Sequence, residues 1–514
     1  MFPGTHALST PGKPAVIMAG SGRKLTYREL DDSSRQLAVA LADLGLVKGD
    51  VIAMLSDNAA ECFTIYWAAV RSGLYLTAVN FHLTADEVAY IVNDCGAKVL
   101  LASGGLGELA EEVRFLAPGV GHAFSFDGPL NGFDSYADLL ASAGDRTLAN
   151  QPRGSDMLYS SGTTGRPKGI KPPLLPIQVD EPGDPITGLL GSAFGITADD
   201  VYLSPAPIYH AAPLRWCGAV QALGGTVVVL ERFKAETTLA AIEQYRATAV
   251  QVVPTMFVRM LQLPEEARAA YDVSSLRIAI HAAAPCPTDV KQAMIDWWGP
   301  ILVEYYSSTE ACGFTVINSQ EWLTKRGSVG RSMLGPVHIC GDDGAELPTG
   351  EAGLVFFERD VRPFEYHNNP GKTKEAEHPD HGNWTTVGDI GYVDADGYLF
   401  LTDRKSFMII SGGVNIYPQE VEDALSMHPA VFDVAVIGVP DPAMGQQVKA
   451  VVQLRDGVEP SAELGEQLIA HARTKVAAFK APKTVDFVES LPRTPTGKLV
   501  KRTLVQQYAA APTG

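Results

Sequence analysis

The amino-acid sequence predicts an α/β protein whose sheets are largely parallel. Stretches with helical spacing of apolar residues alternate with short continuous apolar runs, a pattern typical of strands covered by helices on both faces. The chain has 514 residues, of which 46% are hydrophobic, so it holds enough apolar material for large buried sheets. At roughly 150 residues per domain, the length suggests about three domain-sized units, although a large α/β domain can absorb more than one of them.

The first half of the chain gives the clearest alternation. Thr26 and Glu29 have the spacing of a capping box, and leucines at helical spacing follow until Gly45 stops the pattern. Several apolar runs then suit buried strands, and a helical stretch lies between the first two. The expected strands are Val51–Leu55, Tyr75–Val79, 97–102 and 226–230, and the expected helix is 63–71.

The last third of the chain has a different pattern. Residues 382–404 are dense in Gly, Asp and Thr, and aromatic residues alternate along 397–401, which predicts hairpins. The elements expected further on are a hairpin-like stretch, a helix near 418–427 and a strand at 434–439. A boundary near 402–406 therefore divides the chain into a large N-terminal domain, 1–403, and a C-terminal domain of ordinary size, 404–514.

Charge and cysteine content exclude several classes of protein. The net charge of −18 argues against a nucleic-acid-binding protein, because phosphate-backbone binding needs clustered Lys and Arg. The six cysteines are scattered without a Cys-x-x-Cys pair, so neither a zinc site nor a disulfide framework is expected. The N-terminus does not look like a signal peptide, and the most apolar stretch, near 219–230, is shorter than the about 20 residues of a membrane span. We therefore expect a cytoplasmic protein without a transmembrane segment.

The strongest local motif is a loop rich in glycine and hydroxyl groups at 159–169, with the sequence Tyr-Ser-Ser-Gly-Thr-Thr-Gly-Arg-Pro-Lys-Gly. Glycines free the backbone to turn its N–H groups inward, and the hydroxyls and basic side chains add donors and positive charge. These features suit a polyphosphate, although a solvated flexible loop has a similar composition. The candidate phosphate-binding residues are Ser160, Ser161, Gly162, Thr163, Thr164, Gly165 and Lys168.

This loop is not a Walker A motif, because Gly165 is followed by Arg-Pro-Lys-Gly where that motif needs Gly-Lys-Ser/Thr. The chain's one Gly-Lys-Thr sequence, at 371–373, has Tyr366 where the leading glycine would stand. A P-loop kinase or ATPase is therefore disfavoured.

Further motifs follow the loop in a fixed order. They are Pro207-Ile208-Tyr209-His210, Ala283-Ala284-Pro285, Tyr306-Ser307-Ser308-Thr309-Glu310, Gly388-Asp389, Arg404, Ser411-Gly412-Gly413 with Asn415, and Pro495-Thr496-Gly497-Lys498. Together with the loop, this ordered set resembles the acyl-adenylate-forming superfamily of acyl-CoA synthetases, adenylation domains and beetle luciferases. The resemblance runs from about residue 26 to residue 504 and is greatest to a stand-alone acyl-CoA synthetase. It implies a distorted β-barrel region in the N-terminal domain and a mobile α+β C-terminal domain.

The resemblance also implies a nucleotide site for ATP and Mg²⁺. Tyr306 would stack on adenine, with Ala283, Ala284, Pro285 and Ser307 around the nucleotide. Asp389 would accept hydrogen bonds from the ribose hydroxyls, and Arg404 would lie on the same side. Thr309 would hydrogen-bond the α-phosphate. Glu310 and Thr163 would hold Mg²⁺, a hard cation that takes oxygen ligands. Taken singly, Glu310 also fits an ordinary surface acid and Gly388-Asp389 an ordinary turn.

The resemblance assigns the remaining candidate residues to the two half-reactions of the family. Lys498 would bridge the substrate carboxylate and the α-phosphate during adenylation, offsetting the repulsion of two anions. His210 would lie at the mouth of the acyl site, although a histidine before an apolar stretch is often structural. After adenylation the C-terminal domain would rotate, and Ser411, Gly412 and Gly413 would line the path of the coenzyme A thiol.

Three departures from the family pattern are present. Ser406, followed by Phe407, stands where the hinge usually carries Asp or Lys. Ser307 replaces a common glycine, and 170–175 replaces a Thr-His or Ser-His pair after the phosphate loop. Arg215 and Trp216 could cap the acid pocket, or Arg215 could face solvent, and the sequence does not distinguish these alternatives.

The residues expected around the acid are mostly apolar or small, which favours a hydrophobic fatty, aromatic or steroid-derived carboxylic acid. The alternatives are an acyl-AMP ligase or amino-acid-adenylating enzyme that loads a carrier protein, an inactive nucleotide-binding protein, and a luciferase-like oxygenase. The expected partners are small molecules and, in a homodimer, a second copy of the chain.

Overall fold

The structure is a computed structural model that describes residues 1–160, 167–404, 407–412, 414–442, 444–493 and 499–510. Its α-helices are α1 (Pro3–Ser9), α2 (Tyr27–Asp43), α3 (Glu61–Val70), α4 (Ala85–Asp94), α5 (Gly107–Leu116), α6 (Tyr136–Ala143), α7 (Pro185–Ala193), α8 (Ala211–Leu223), α9 (Ala235–Tyr245), α10 (Pro254–Leu261), α11 (Glu265–Ala269), α12 (Thr288–Trp298), α13 (Ser319–Thr324), α14 (Pro370–Glu375), α15 (Pro418–Ser426), α16 (Ala462–Lys475) and α17 (Lys501–Ala510).

The strands alternate with these helices over most of the chain. They are β1 (Pro14–Met18), β2 (Lys24–Thr26), β3 (Val51–Leu55), β4 (Tyr75–Val79), β5 (Ala97–Ser103), β6 (His122–Phe126), β7 (Asp134–Ser135), β8 (Ser155–Asp156), β9 (Leu158–Ser160), β10 (Lys168–Ile170), β11 (Val201–Ser204), β12 (Thr226–Val229), β13 (Ala249–Val252), β14 (Ile278–His281), β15 (Leu302–Ser307), β16 (Phe314–Asn318), β17 (Ser328–Ser332), β18 (Val337–Cys340), β19 (Gly353–Glu358), β20 (Trp384–Thr385), β21 (Asp389–Val393), β22 (Leu399–Arg404), β23 (Ile409–Ser411), β24 (Val414–Ile416), β25 (Val431–Asp441), β26 (Gly445–Leu454) and β27 (Thr484–Val488).

Helix α2 forms as its sequence predicts. The Thr26 side chain accepts a hydrogen bond from the Glu29 N–H, and the Glu29 carboxylate accepts one from the Thr26 N–H, which completes the capping box. The apolar stripe of the helix, with Leu30, Leu37 and Leu41, is fully buried. The expected strands at Val51–Leu55 and Tyr75–Val79 are confirmed and are buried along their whole length.

Two sheets carry the parallel strands. The first has six strands in the order β7-β6-β5-β3-β4-β8, paired in parallel throughout. The second has fourteen, and its parallel section runs β15-β14-β13-β11-β12-β1. The central strands β3 and β4 are short, apolar and buried along their whole length, as is typical of parallel sheets covered by helices on both faces.

The second sheet continues beyond β15 as an antiparallel section in the order β16-β17-β22-β21-β19-β18, with β20 paired to β19. This section corresponds to the expected distorted barrel, and its hairpins lie in the segment rich in Gly, Asp and Thr. Over the described residues its strand order is an open path, so the expectation of a barrel is corrected to a mixed sheet with open edges. The connection through β16 and β17 brings β21 and β22 back beside the end of β15, where the candidate site lies.

Residues 409–508 build apolar cores of their own, around a five-stranded sheet with the order β24-β23-β26-β25 and with β27 parallel to β26. The expected strand at 434–439 forms the centre of the longer strand β25, and the expected helix near 418–427 is α15. Among the described residues, no helix combines the length and apolarity that crossing a membrane requires.

Candidate active site

The candidate residues collect at one edge of the fourteen-stranded sheet. Strands β14 and β15 are parallel neighbours, with His281 opposite Glu304, so their carboxyl ends lie side by side. Ala283 and Ala284 follow the end of β14, and Tyr306 and Ser307 end β15. In open α/β sheets ligands bind outside the carboxyl ends of the strands, so this edge is where a nucleotide is expected.

Ala283 has an unusual backbone conformation in this edge, with φ of +74° although it is not glycine. Such conformations cost about 1–3 kcal/mol and concentrate at functional sites. Ala283 and Pro285 are exposed and Ala284 is half-buried, so the segment forms an accessible rim above the strand ends.

Tyr306 and Asp389 are in direct contact. The Tyr306 hydroxyl donates to Oδ2 of Asp389 over 2.5 Å, and Asp389 is 7% exposed. The contact arises because β21 begins at Asp389, beside the end of β15. Arg404 is the backbone register partner of Asp389 on β22, so both residues of the expected ribose side lie on adjacent strands. Hydrogen bonds to ionised groups are short and strong, and this one fixes the carboxylate beside the tyrosine ring.

Thr309 and Glu310 lie in the turn that follows β15. The Glu310 carboxylate is buried, and its Oε1 accepts a hydrogen bond of 2.8 Å from the hydroxyl of Tyr366. The nearby Cys312 shows how dry this turn is, since burial, together with the charge of Glu310, raises the pKa of its thiol to about 12. Sequence reasoning missed Tyr366 as a site residue.

The phosphate loop is framed by a short hairpin. Strands β9 and β10 are antiparallel, and Ser160 and Lys168 face each other in the register at the open end of the ladder. The Lys168 ammonium lies 4.8 Å from the centre of the Tyr366 ring. The expected loop residues Ser161, Gly162, Thr163, Thr164 and Gly165 lie outside the described residues, as do Gly413 and Lys498.

His210 is the residue that precedes α8, and its side chain does not cap the helix. Its ring lies 4.3 Å from that of the buried Tyr209, at an angle of 47°. The histidine is half-buried, a position consistent with the mouth of a pocket.

Arg215 is half-buried and bound to an acid. Its Nε and Nη2 atoms donate to the two carboxylate oxygens of the buried Asp156, with Nη2 at 2.7 Å from Oδ2. A guanidinium held by a carboxylate in this paired geometry is neutralised locally. The salt bridge ties α8 to β8 and leaves the Arg215 side chain 17% exposed.

Trp216 belongs to an aromatic stack beside the same helix. Its ring is stacked on Tyr305 at 5.3 Å and 16°, and Tyr305 is stacked on Phe314 at 5.0 Å and 14°. All three are buried. The amide of Gln251 donates to the Tyr305 hydroxyl over 2.8 Å and accepts from the Tyr202 hydroxyl over 3.0 Å, which fixes the middle ring of the stack.

A buried ion pair supports the edge from below. The Lys291 ammonium donates to Glu304 over 2.6 Å, with Lys291 fully buried and Glu304 6% exposed. Burial, together with the charge of Lys291, lowers the pKa of the enclosed His281 well below its ordinary value. The pair ties α12 to β15 just below the candidate nucleotide residues, and breaking such a pair is strongly destabilising.

The candidate thiol-side residues lie on a separate hairpin. Ser411 ends β23 and is half-buried, and Gly412 has φ of +57°. The Gly412 N–H donates to the carbonyl oxygen of Met444 over 2.8 Å. A Cβ at Gly412 would come within 2.4 Å of the Met444 side chain, so glycine suits this close approach.

The departure at Ser307 has a structural explanation. Its hydroxyl donates to the carbonyl oxygen of Gly313 over 2.8 Å and closes the turn that carries Thr309 and Glu310. The serine therefore strengthens the turn.

At the hinge, Phe407 lies in the range of a cation–π contact with Lys501, 5.5 Å from the ring centre to Nζ.

Comparison with known proteins identifies the class. Residues 5–360 match the model of the AMP-binding enzyme family, and residues 420–498 match the model of the AMP-binding enzyme C-terminal domain. The chain therefore belongs to the AMP-binding enzyme family.

Two curated relatives and one solved structure cover nearly the whole chain. The long-chain-fatty-acid–CoA ligase FadD13 of Mycobacterium tuberculosis is 33% identical over 514 residues, which are 98% of this chain and 97% of the relative. The feruloyl-CoA synthase of an Amycolatopsis species is 34% identical over 509 residues, 97% of each chain. The structure of the anthranilate CoA ligase AuaEII in complex with anthranoyl-AMP superposes with a TM-score of 0.84 at 26% identity, covering 99% of this chain and 96% of that one.

Proposed function

We propose that this chain is an AMP-forming acyl-CoA synthetase. A carboxylate oxygen of the acid attacks the α-phosphorus of ATP and the bond to pyrophosphate breaks. The coenzyme A sulfur then attacks the acyl carbon, the thiol loses its proton, and AMP leaves with the pair of electrons of the broken bond. The observation that carries the proposal is the meeting, at one sheet edge, of the Tyr306–Asp389 and Tyr366–Glu310 pairs in a chain of this family.

The nucleotide is assigned to this edge residue by residue. Tyr306 offers its ring to adenine, and the buried Asp389 accepts from the ribose hydroxyls, with Arg404 on the adjacent strand. The rim at Ala283 and its neighbours closes the adenine side. Lys168 and Ser160, opposite each other in the hairpin, flank the sequence 161–166, whose hydroxyls and backbone N–H groups would bind the phosphates.

Magnesium fits this site as an ion shared with substrate. The described residues contain no group of three His, Cys, Asp or Glu side chains that would hold a metal by themselves. Glu310 is a buried carboxylate beside the phosphate hairpin, and Mg²⁺ is commonly held by one or two carboxylates together with phosphate oxygens. Bound there with Thr163, the ion would neutralise phosphate charge during the transfer, and Thr309 would hydrogen-bond the α-phosphate.

Two domains divide the work in this proposal. Residues 1–403 bind ATP and the acid, and residues 404–514 carry Lys498 and the thiol-side segment. The separate apolar cores of the two regions support the division, as do the two family models that match on either side of it. Lys498 would stabilise the charge of the adenylation transition state, and rotation about 404–406 would then bring Ser411, Gly412 and Gly413 to the acyl-AMP.

The acid is assigned to the region of His210, which precedes α8, and of the aromatic stack of Trp216, Tyr305 and Phe314 beside the same helix. The stack is apolar, and Arg215 is neutralised by Asp156, so this wall suits an uncharged hydrophobic group. Gln251 holds the Tyr305 hydroxyl, so the middle ring is a rigid part of this wall, and for this reason we propose a compact acid such as an aryl acid in preference to a long straight chain. The feruloyl and anthranilate ligases among the similar proteins are named for acids of this kind.

Location and assembly complete the proposal. Reduced buried cysteines, with Cys62, Cys217 and Cys312 among them, suit the cytoplasm. A homodimer stays a prediction that sedimentation would test.

The experiment that tests the function is pyrophosphate release from ATP and Mg²⁺ with a panel of aliphatic, aromatic and steroid-side-chain acids, with and without coenzyme A. We expect release that needs an acid, turns over rapidly with coenzyme A, and is greatest for compact aromatic acids. Release that stops near one equivalent in both conditions would instead identify an acyl-AMP ligase with another acceptor. Absence of acid-dependent release would leave a nucleotide-binding protein without this activity.

A further inference from the structure

We propose that Tyr366 is a positioning residue of the phosphate site, which sets the orientation of Glu310 through its hydroxyl and the position of Lys168 through its ring. The inference rests on the proposed function, because it concerns the residues assigned to magnesium and phosphate.

The hydroxyl of Tyr366 determines what the Glu310 carboxylate can do. It donates to Oε1 of Glu310 over 2.8 Å in a buried setting, with Glu310 8% and Tyr366 9% exposed. A carboxylate that receives such a bond has its plane fixed. Partners that orient a metal ligand in this way typically contribute about 10–100-fold to metal affinity.

The ring of Tyr366 contacts the second group, which is the ammonium of Lys168. The Lys168 ammonium lies 4.8 Å from the ring centre, within the range in which a cation is attracted to an aromatic face. Phe364 packs against the same ring in a T-shaped contact, with the ring centres 5.0 Å apart. One side chain therefore contacts both a proposed cation ligand and a proposed phosphate ligand.

The backbone around Tyr366 is tied to the phosphate hairpin. Tyr366 forms an antiparallel bridge with Ile170, and the His367 N–H donates to the carbonyl oxygen of Gly169 over 2.8 Å. The Tyr366 N–H donates to the hydroxyl of Thr373 over 3.0 Å, which anchors the segment to α14. These bonds pair the segment with the free edge of β10, as a third strand would pair. Tyr366 is thereby held to the hairpin, and its hydroxyl connects the hairpin to the turn that carries Glu310.

The test uses calorimetry of ATP binding as Mg²⁺ is titrated, and it compares the wild type with four variants. Tyr366→Phe removes the hydroxyl and keeps the ring over Lys168. Glu310→Gln tests the metal assignment itself. Tyr398→Phe is the matched control, because its hydroxyl also donates to a glutamate, Glu321, over 3.2 Å, away from the site.

We expect Tyr366→Phe to raise the Mg²⁺ concentration for half-maximal enhancement of ATP binding about 10-fold, with ATP affinity in the absence of Mg²⁺ unchanged. Tyr398→Phe should match the wild type. Tyr366→Leu, which also removes the ring, should weaken ATP binding without Mg²⁺ as well, because Lys168 loses its support.

The outcomes separate this inference from the proposed function. If Mg²⁺ enhances ATP binding in the wild type and Glu310→Gln abolishes the effect, but Tyr366→Phe behaves as wild type, the inference is wrong and the site assignment stands. If Mg²⁺ has no effect in the wild type, both are wrong. Should Tyr366→Phe fail to fold, Thr373→Val displaces the same ring through its backbone anchor, and an unchanged Mg²⁺ requirement in that variant would overturn the inference.

Discussion

The two regions of the molecule hold their candidate residues in different ways. Before residue 404, the candidate carboxylates Glu310 and Asp389 are buried and each accepts a hydrogen bond from a tyrosine, as in the 2.5 Å contact of Tyr306 with Asp389. Beyond residue 407, Ser411 and Gly412 lie at the end of a hairpin whose apolar neighbours Ile410 and Met444 are 50% and 48% exposed. A preassembled polar site suits the step in which charge must be stabilised in place. An open hairpin beside exposed apolar side chains suits a segment that acts after the regions rearrange.

The largest expected effect separates the half-reactions through Lys498. Lys498→Ala should slow adenylation at least about 100-fold, because one group that offsets developing charge contributes on that order. Thioester formation from preformed acyl-AMP should remain within about twofold, as measured by quenched-flow assays of each half-reaction. The exposed Lys483 provides a control, and Lys483→Ala should leave both steps unchanged. Equal loss of both half-reactions would contradict the division of work between the regions.

A smaller effect tests the preassembled region. Asp389→Asn should weaken ATP binding about 10-fold by calorimetry, because hydrogen bonds to a charged group contribute about 1.5–3 kcal/mol. The control is Asp394→Asn, directly after the end of β21, since Asp394 pairs with Lys325 and is assigned no ligand. Unchanged affinity in Asp389→Asn would remove this carboxylate from the ribose site.

The smallest effect tests the open hairpin. Gly412→Ala should slow thioester formation several-fold and leave adenylation unchanged, because the added Cβ meets Met444 and closes space beside the proposed thiol path. Gly457→Ala is matched in backbone strain, with φ of +81°, but a Cβ there meets nothing within 4 Å. Stopped assays of the two steps check the prediction. A parallel slowing in Gly457→Ala would show that strain alone, and not the thiol path, causes the effect.

The sequence predicted those parts of the fold that depend on local patterns. Strand Val51–Leu55 is a continuous apolar run, and its bounds agree with the structure. The strand expected at 434–439 extends to Val431–Asp441, because pairing with β26 continues past the apolar residues into polar ones. The expected barrel differs from the open mixed sheet because strand closure depends on pairing between distant segments, which no local pattern encodes.

Candidate site residues could be predicted from the sequence where they belong to a single motif. Contacts between residues of two distant segments could not. Glu310 stands in a recognisable sequence, but Tyr366 lies 56 positions further on, and their contact depends on the path of the chain through β16 to β19. Arg215 likewise lies 59 positions from Asp156. The sequence around Tyr366 contains no motif that indicates its contact with Glu310.

Strand β15 places two tyrosines with different tasks next to each other. Consecutive strand residues point to opposite faces, and here Tyr305 stacks on Trp216 while Tyr306 bonds Asp389. With the acid placed as proposed, a single strand separates the wall that selects the acid from the wall that holds the nucleotide. Substitutions at residue 305 and its aromatic neighbours can therefore change the preference for the acid, while the use of ATP stays the same.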